Sequence, residues 1–123
     1  SMFEKNQLRM EEERLEKEAQ RREIRMKCDH IFNKLPLDLD RRAKKEDAEL
    51  LIKKVEKLFE TACVDYAVDD IARVIKLRLD TDDKISQEDF REGITALAVG
   101  VKSITLQELY TAVKRVEEHM MNL

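Results

Sequence analysis

The sequence predicts an all-α fold in which a long charged N-terminal helix leads into a compact four- to five-helix bundle, and three observations predict it. Residues 3 to 33 lack proline and glycine and are dominated by Glu, Lys, Arg, Gln and Met, all tolerant of a helix. From Ile24 onward, apolar residues recur in steps of three and four. A phrase also returns at a fixed interval: Tyr66-Ala67-Val68-Asp69-Asp70-Ile71, then Ile85-Ser86-Gln87-Glu88-Asp89-Phe90, then Ile104-Thr105-Leu106-Gln107-Glu108-Leu109. Each copy has an apolar residue, a small one, an acidic pair or near-pair and a second apolar residue. A third apolar side chain follows at Ile75, Ile94 and Val113, which is how short amphipathic helices begin.

The first helix spans about Phe3 to Asn33, and its first two thirds carry few apolar residues: Phe3, Leu8, Met10, Leu15 and Ala19. Glu13 to Lys17, Glu18 to Arg22 and Glu23 to Lys27 have the favourable i,i+4 spacing, each worth about 0.2–0.5 kcal/mol. This stretch, residues 1–23, reads as an extended charged helix, and residues 24–123 as the bundle. Leu8 and Leu15 are one heptad apart, while Arg22 interrupts the seam at the next equivalent position. A weak homodimer through this helix, with Leu8 and Leu15 at the contact, is one expectation.

At Ile24 the character changes. Ile24, Cys28, Ile31, Phe32 and Leu35 form a stripe that docks on a core, and Pro36 ends it. Leu37-Asp38-Leu39-Asp40 is a connector in which Asp38 or Asp40 caps the next helix. The second helix places Ala48, Leu51, Ile52, Val55, Leu58, Phe59 and Ala62 on one face, with Lys53, Lys54, Glu56 and Lys57 opposite. The third runs from about Asp65 or Ala67 to Leu79 with Val68, Ile71, Ala72, Ile75 and Leu79 inward. Ser86 with Asp89 opens the fourth, Gly100 ends it in the left-handed conformation, and Thr105 with Glu108 opens the fifth. That last helix has a broad apolar face, Leu106, Leu109, Tyr110, Val113, Val116, Met120 and Met121, which packs on the core and leaves Met120 and Met121 over for a partner.

Charged residues make up 41% of the chain and leave a net charge of only -3, which gives no general pull toward nucleic acid or an acidic membrane. No apolar run reaches the roughly 18 residues of a membrane span. Cys28 and Cys63 both fall in apolar helical patterns, as buried thiols do in a reducing compartment, so a cytoplasmic setting is expected. The opening Ser1-Met2 reads as a cloning remnant, and the chain as a piece of something longer.

Two of the repeated phrases carry a resemblance. Ile85-Ser86-Gln87-Glu88-Asp89-Phe90 and Ile104-Thr105-Leu106-Gln107-Glu108-Leu109 resemble the second half of an EF-hand, in which a loop isoleucine precedes a hydroxyl cap, an acidic last ligand and an apolar residue. The resemblance implies a helix-loop-helix and, where ligands are present, calcium. With Ile85 eighth in the loop, Arg78 is first, Asp80 third, Asp82 fifth, Asp83 sixth and Asp89 twelfth. A cation then stands where the first anionic ligand belongs, the turn glycine is missing, and Asp89 is one methylene short of the usual bidentate glutamate. With Ile104 eighth, the third and fifth places are Val99 and Val101, which are not ligands. Two successive EF-hands also stand about twice as far apart as these phrases. Asp80, Asp82, Asp83 and Asp89 are therefore the weak calcium candidates, and no metal or other cofactor is expected.

Other constellations are sparser. Cys28 and His30 share the first helix, but the second histidine, His119, is far along the chain. No nucleophile elbow, phosphate loop or HExxH occurs, so no catalysis is expected. Arg21-Arg22-Glu23-Ile24-Arg25-Met26-Lys27 is basic and amphipathic like calmodulin targets or membrane-surface helices, but its apolar residues are those the bundle needs. The expected function is a non-catalytic intracellular adaptor or scaffold module that recognises another protein through helical faces, without nucleic acid or membrane. The alternative is a calcium-responsive EF-hand-type sensor.

Overall fold

Helix α1 (Met2–Phe32) is one uninterrupted rod in the computed structural model, which describes residues 2–100 and 104–121 and no side chain between residues 104 and 110. From Met2 to Lys17 every residue is exposed, so about 24 Å of helix stands clear of the bundle. Of the three i,i+4 pairs expected, Glu23 and Lys27 meet at 3.0 Å, whereas Glu18 pairs with Arg14, which also binds Glu11. Burial begins at Ile24. Ile24, Cys28 and Phe32 are fully buried, with Ile31 and Leu35 packed beside them, as the stripe requires.

The second helix is broken where one continuous helix was expected. It forms α2 (Lys45–Glu49) and α3 (Ile52–Thr61), because the N–H groups of Leu50 and Leu51 donate to Asp47 and Ala48 three residues back and tighten the chain there. Helix α3 ends on a left-handed residue, Cys63 (φ 55°), with Cys63 N–H donating to Glu60 O and Val64 N–H to Phe59 O. Cys63 is accordingly exposed rather than buried, since the turn that stops the helix swings it outward.

Helix α4 (Val68–Leu77) buries Ile71, Val74 and Ile75, with Leu79 just beyond. Val68 and Ala72, expected inward, are exposed. The buried sector is rotated toward Val74 instead, with Ile71 near its middle. Helix α5 (Gln87–Ala98) opens as expected, with Ser86 Oγ accepting from Asp89 N–H at 3.1 Å, and Gly100 (φ 73°) follows its end. Strands β1 (Arg42–Lys44) and β2 (Lys84–Ser86) add an antiparallel ladder to the all-helical plan, pairing Ala43 with Ile85, both buried.

The core gathers α1, α3, α4 and α5, with Phe32 against Phe90 at 5.3 Å between ring centroids and Phe59 edge-on to Tyr66 at 5.6 Å. Helix α6 (Ile104–Met121) contributes no residue to it among those described. The side chains of Thr105, Leu106, Glu108, Leu109 and Tyr110 lie outside the described residues. Val113 and Val116, expected to pack inward, face solvent.

Close approach of α4 and α5 depends on Gly93, because a Cβ there would stand 2.7 Å from Val74 Cγ1. Gly93→Ala should therefore destabilise the fold by about 1–3 kcal/mol despite alanine's better helix propensity. Val74→Ala added to that variant should relieve part of the loss; chemical denaturation of the parent chain and the two variants checks both outcomes.

Candidate functional site

The ladder brings together two loops of the same design. Residues 36–47 and 78–89 share Leu-Asp-x-Asp at Leu37 to Asp40 and Leu79 to Asp82, and Glu-Asp at Glu46-Asp47 and Glu88-Asp89. The loop containing Ile85 is thus paired with the one around Ala43, not with the Ile104 phrase. Asp38 Oδ1 accepts from the N–H groups of Asp40 and Arg42, at 2.9 and 2.8 Å. Asp80 Oδ1 accepts likewise from Asp82 and Lys84, at 2.9 and 3.1 Å. Each loop then turns through a left-handed residue, Arg41 (φ 60°) or Asp83 (φ 55°), at the same place. Asp38 therefore caps its own loop and not a helix; the N-cap of α2 is Lys44, which makes no side-chain cap bond.

The acids converge on a cation supplied by the chain. Arg42 reaches Asp38 Oδ2 through Nε (3.2 Å), and its Nη1 reaches Asp80 Oδ2 (2.7 Å) and Asp82 Oδ2 (3.3 Å) across the ladder. Asp40 adds a longer pairing at 3.6 Å, and Lys84 Nζ lies 3.0 Å from Asp38 Oδ2. The N–H of Arg42 does most to hold the Asp38 carboxyl down, to about 2, against some opposing burial and with help from Lys84. At Asp80 burial pushes upward, but the Lys84 N–H, the Arg42 guanidinium and the Asp82 N–H outweigh it, and the net shift is downward. Bonding to Asp80 raises Arg42 in turn.

Of the four calcium candidates, Asp80 and Asp82 meet at Arg42. Asp83 is exposed at its left-handed turn, and its backbone carbonyl accepts from Lys45 N–H. Asp89 lies apart. Its carboxylate accepts from Ser86 Oγ and stands 3.8 Å from Arg78 and 3.7 Å from Lys114. Among the described residues, no group of three or more His, Cys, Asp or Glu side chains is arranged to hold a metal ion. Sequence reading missed Asp38, Asp40 and Arg42 as members of this site. The signal was present as the shared Leu-Asp-x-Asp and Glu-Asp of the two loops, obscured by a proline in the first place and an alanine in the eighth.

Helix α6 lies beside the second loop and turns its polar side toward it. Lys114 approaches Asp89, and Arg115 Nη2 donates to Leu79 O at 3.5 Å. Thr111, Glu118 and His119 help to wall a cleft of about 530 Å³ against Arg78 and Thr81. The opposite side carries Val113, Val116 and Met120, which are 49%, 59% and 68% exposed. Met121 is exposed beside them, while Leu8 and Leu15 are exposed on the projecting half of α1. All four residues expected at a partner surface are thus on the outside, on two separate helices. Among the described residues, no helix is long and apolar enough to cross a membrane. No protein-family model, curated protein or solved structure matches the chain.

The depressed carboxyl of Asp38 sets an acid limit. An ionised group favoured by folding contributes fully above the ordinary aspartate range near pH 4, and the contribution is lost as pH falls toward about 2. Asp38→Asn should lower the melting temperature at pH 7, and the gap to the parent chain should close between about pH 4 and pH 2 in a thermal-melt series.

Proposed function

We propose that this chain is a non-catalytic intracellular adaptor or scaffold module that binds another protein through the outward apolar side of α6. The observation that carries this reading is the seating of α6. A surface helix normally hides its apolar side, and this one rests on Lys114 and Arg115 with Val113, Val116 and Met120 outward. An apolar stripe on a helix suits recognition in a groove, and the methionines suit adaptable packing. The projecting part of α1 serves as a spacer and weak oligomerisation arm. A reducing, cytoplasmic setting fits two unpaired cysteines, with burial, and then the neighbouring Asp29, pushing Cys28 up to about 12.

Substitution on α6 tests this reading without disturbing the core. Val116→Asp with Met120→Asp should leave stability within about 0.5 kcal/mol of the parent chain, because both sites are exposed. The same pair should abolish capture of the proteins that the parent chain retains. An unchanged capture profile would place recognition elsewhere.

The second reading, a calcium-responsive sensor using Asp80, Asp82, Asp83 and Asp89, gains support from the pairing of two like loops. We propose instead that these loops are a degenerate EF-hand-like pair whose charge is met by Arg42 and Lys84. A divalent ion would have to displace a guanidinium 2.7 Å from Asp80. Calorimetric titration should show no saturable calcium binding tighter than about 1 mM. Micromolar binding lost in Asp80→Ala would establish the sensor.

A further inference from the structure

Helix α1 carries along its outer side an apolar line that its own bundle leaves uncovered. Leu8, Leu15, Ala19 and Met26 are all exposed, and steps of seven, four and seven place them on one side of the helix. That side is turned from the core: at about 100° per residue, Met26 lies roughly 160° around the helix from buried Cys28. Read as heptads, Leu8 and Leu15 hold d positions and Ala19 and Met26 hold a positions. Lys5 and Glu12 occupy the other a positions and Arg22 a further d position, all three exposed, and half-buried Asp29 holds the last d position.

The charged places decide how a second copy can fit. In a parallel pair each residue meets itself, so Lys5, Glu12 and Arg22 would each face a like charge. In an antiparallel pair, a positions face d positions. One register then matches three layers: Leu8 faces Met26, Leu15 faces Ala19, and Glu12 faces Arg22, while Lys5 comes opposite Asp29, which Arg91 of the same chain already meets at 3.5 Å. Sliding by one heptad in one direction sets Lys5 against Arg22 and Glu12 against Leu15. Sliding in the other sets Glu12 against Asp29 and Ala19 against Arg22. Along the rim, the matched register puts Arg9 near Glu23 and Glu11 near Arg25, while Glu16 and Glu18 repel their own copies near the axis.

We propose that α1 pairs antiparallel with α1 of a second copy of this chain in that register, forming a two-fold symmetric dimer with the bundles at opposite ends. The contact deepens the reading of α1 as an oligomerisation arm, and rests on it. It spans about 36 Å from Lys5 to Asp29, and its alternating polar layers make it weak but selective. Arg22, which breaks a parallel seam, is here the partner of Glu12.

Sedimentation equilibrium of the full chain tests the pairing, with circular dichroism confirming unchanged helix content in each variant. The parent chain should dimerise reversibly, and Leu15→Asp should leave it monomeric. Glu12→Arg should weaken association at least about tenfold, and Glu12→Arg with Arg22→Glu should restore it to within about threefold of the parent chain. A parent chain that stays monomeric at millimolar concentration overturns the proposal. So does association that survives Glu12→Arg, or one that the double exchange fails to restore. Val116→Asp on α6 should leave the dimer intact, so loss of partner capture and loss of dimerisation are separately readable.

Discussion

Four carboxylates and two cations from two loops meet where β1 lies beside β2, and the guanidinium of Arg42 makes their meeting tolerable. Asp38 and Asp40 approach it from one loop, Asp80 and Asp82 from the other. Without a cation at the centre, bringing these carboxylates together would set like charges within a few ångströms in a partly desolvated place. Arginine suits the position because its planar fork serves several oxygens at once, which a lysine's point charge does less well. With the loops held, the ladder can set Ala43 against Ile85, and the helices flanking each loop face one another across a shared core.

The helical plan was readable because it depends on local periodicity. Ile24, Cys28 and Phe32 announced the docking end of α1, and Ser86 with Asp89 announced the start of α5, since stripe and cap are each written within one or two turns. The errors came from features that need the tertiary fold. Val74 is buried, and Val68 is not, because the packing of α4 on α5 chooses the inward sector. The interval between the Ile85 and Ile104 phrases drew attention from the true correspondence between the Asp38 and Asp80 loops. Two helix starts can look alike without being structural equivalents, whereas the two loops share backbone bonds, left-handed turns and a ladder. Arg42 itself carried no signal, because a lone arginine in a polar connector gains meaning only when a distant loop brings carboxylates to it.

The two unsupported apolar faces differ in kind. On α6 the exposed line follows from how the helix is anchored: Lys114 and Arg115 find acceptors on the second loop, and the valines are left on the far side. On α1 it follows from length, because the rod continues well beyond the body that buries its end. An isolated helix of that composition is marginal in water, so the bundle acts as a nucleus from which α1 extends. The charged pairs around Arg14 and between Glu23 and Lys27 support it only modestly.

The contact between Phe32 and Phe90 has a mechanical consequence. Phe32 is the last residue of α1 and Phe90 lies one residue past Asp89, whose N–H is held by Ser86 at the end of the ladder. Interiors this closely packed transmit displacement instead of absorbing it. A torque applied to the exposed half of the rod would therefore arrive, through two apposed rings, at the first turn of α5 beside the second loop, which makes α1 a lever arm whose fulcrum is aromatic.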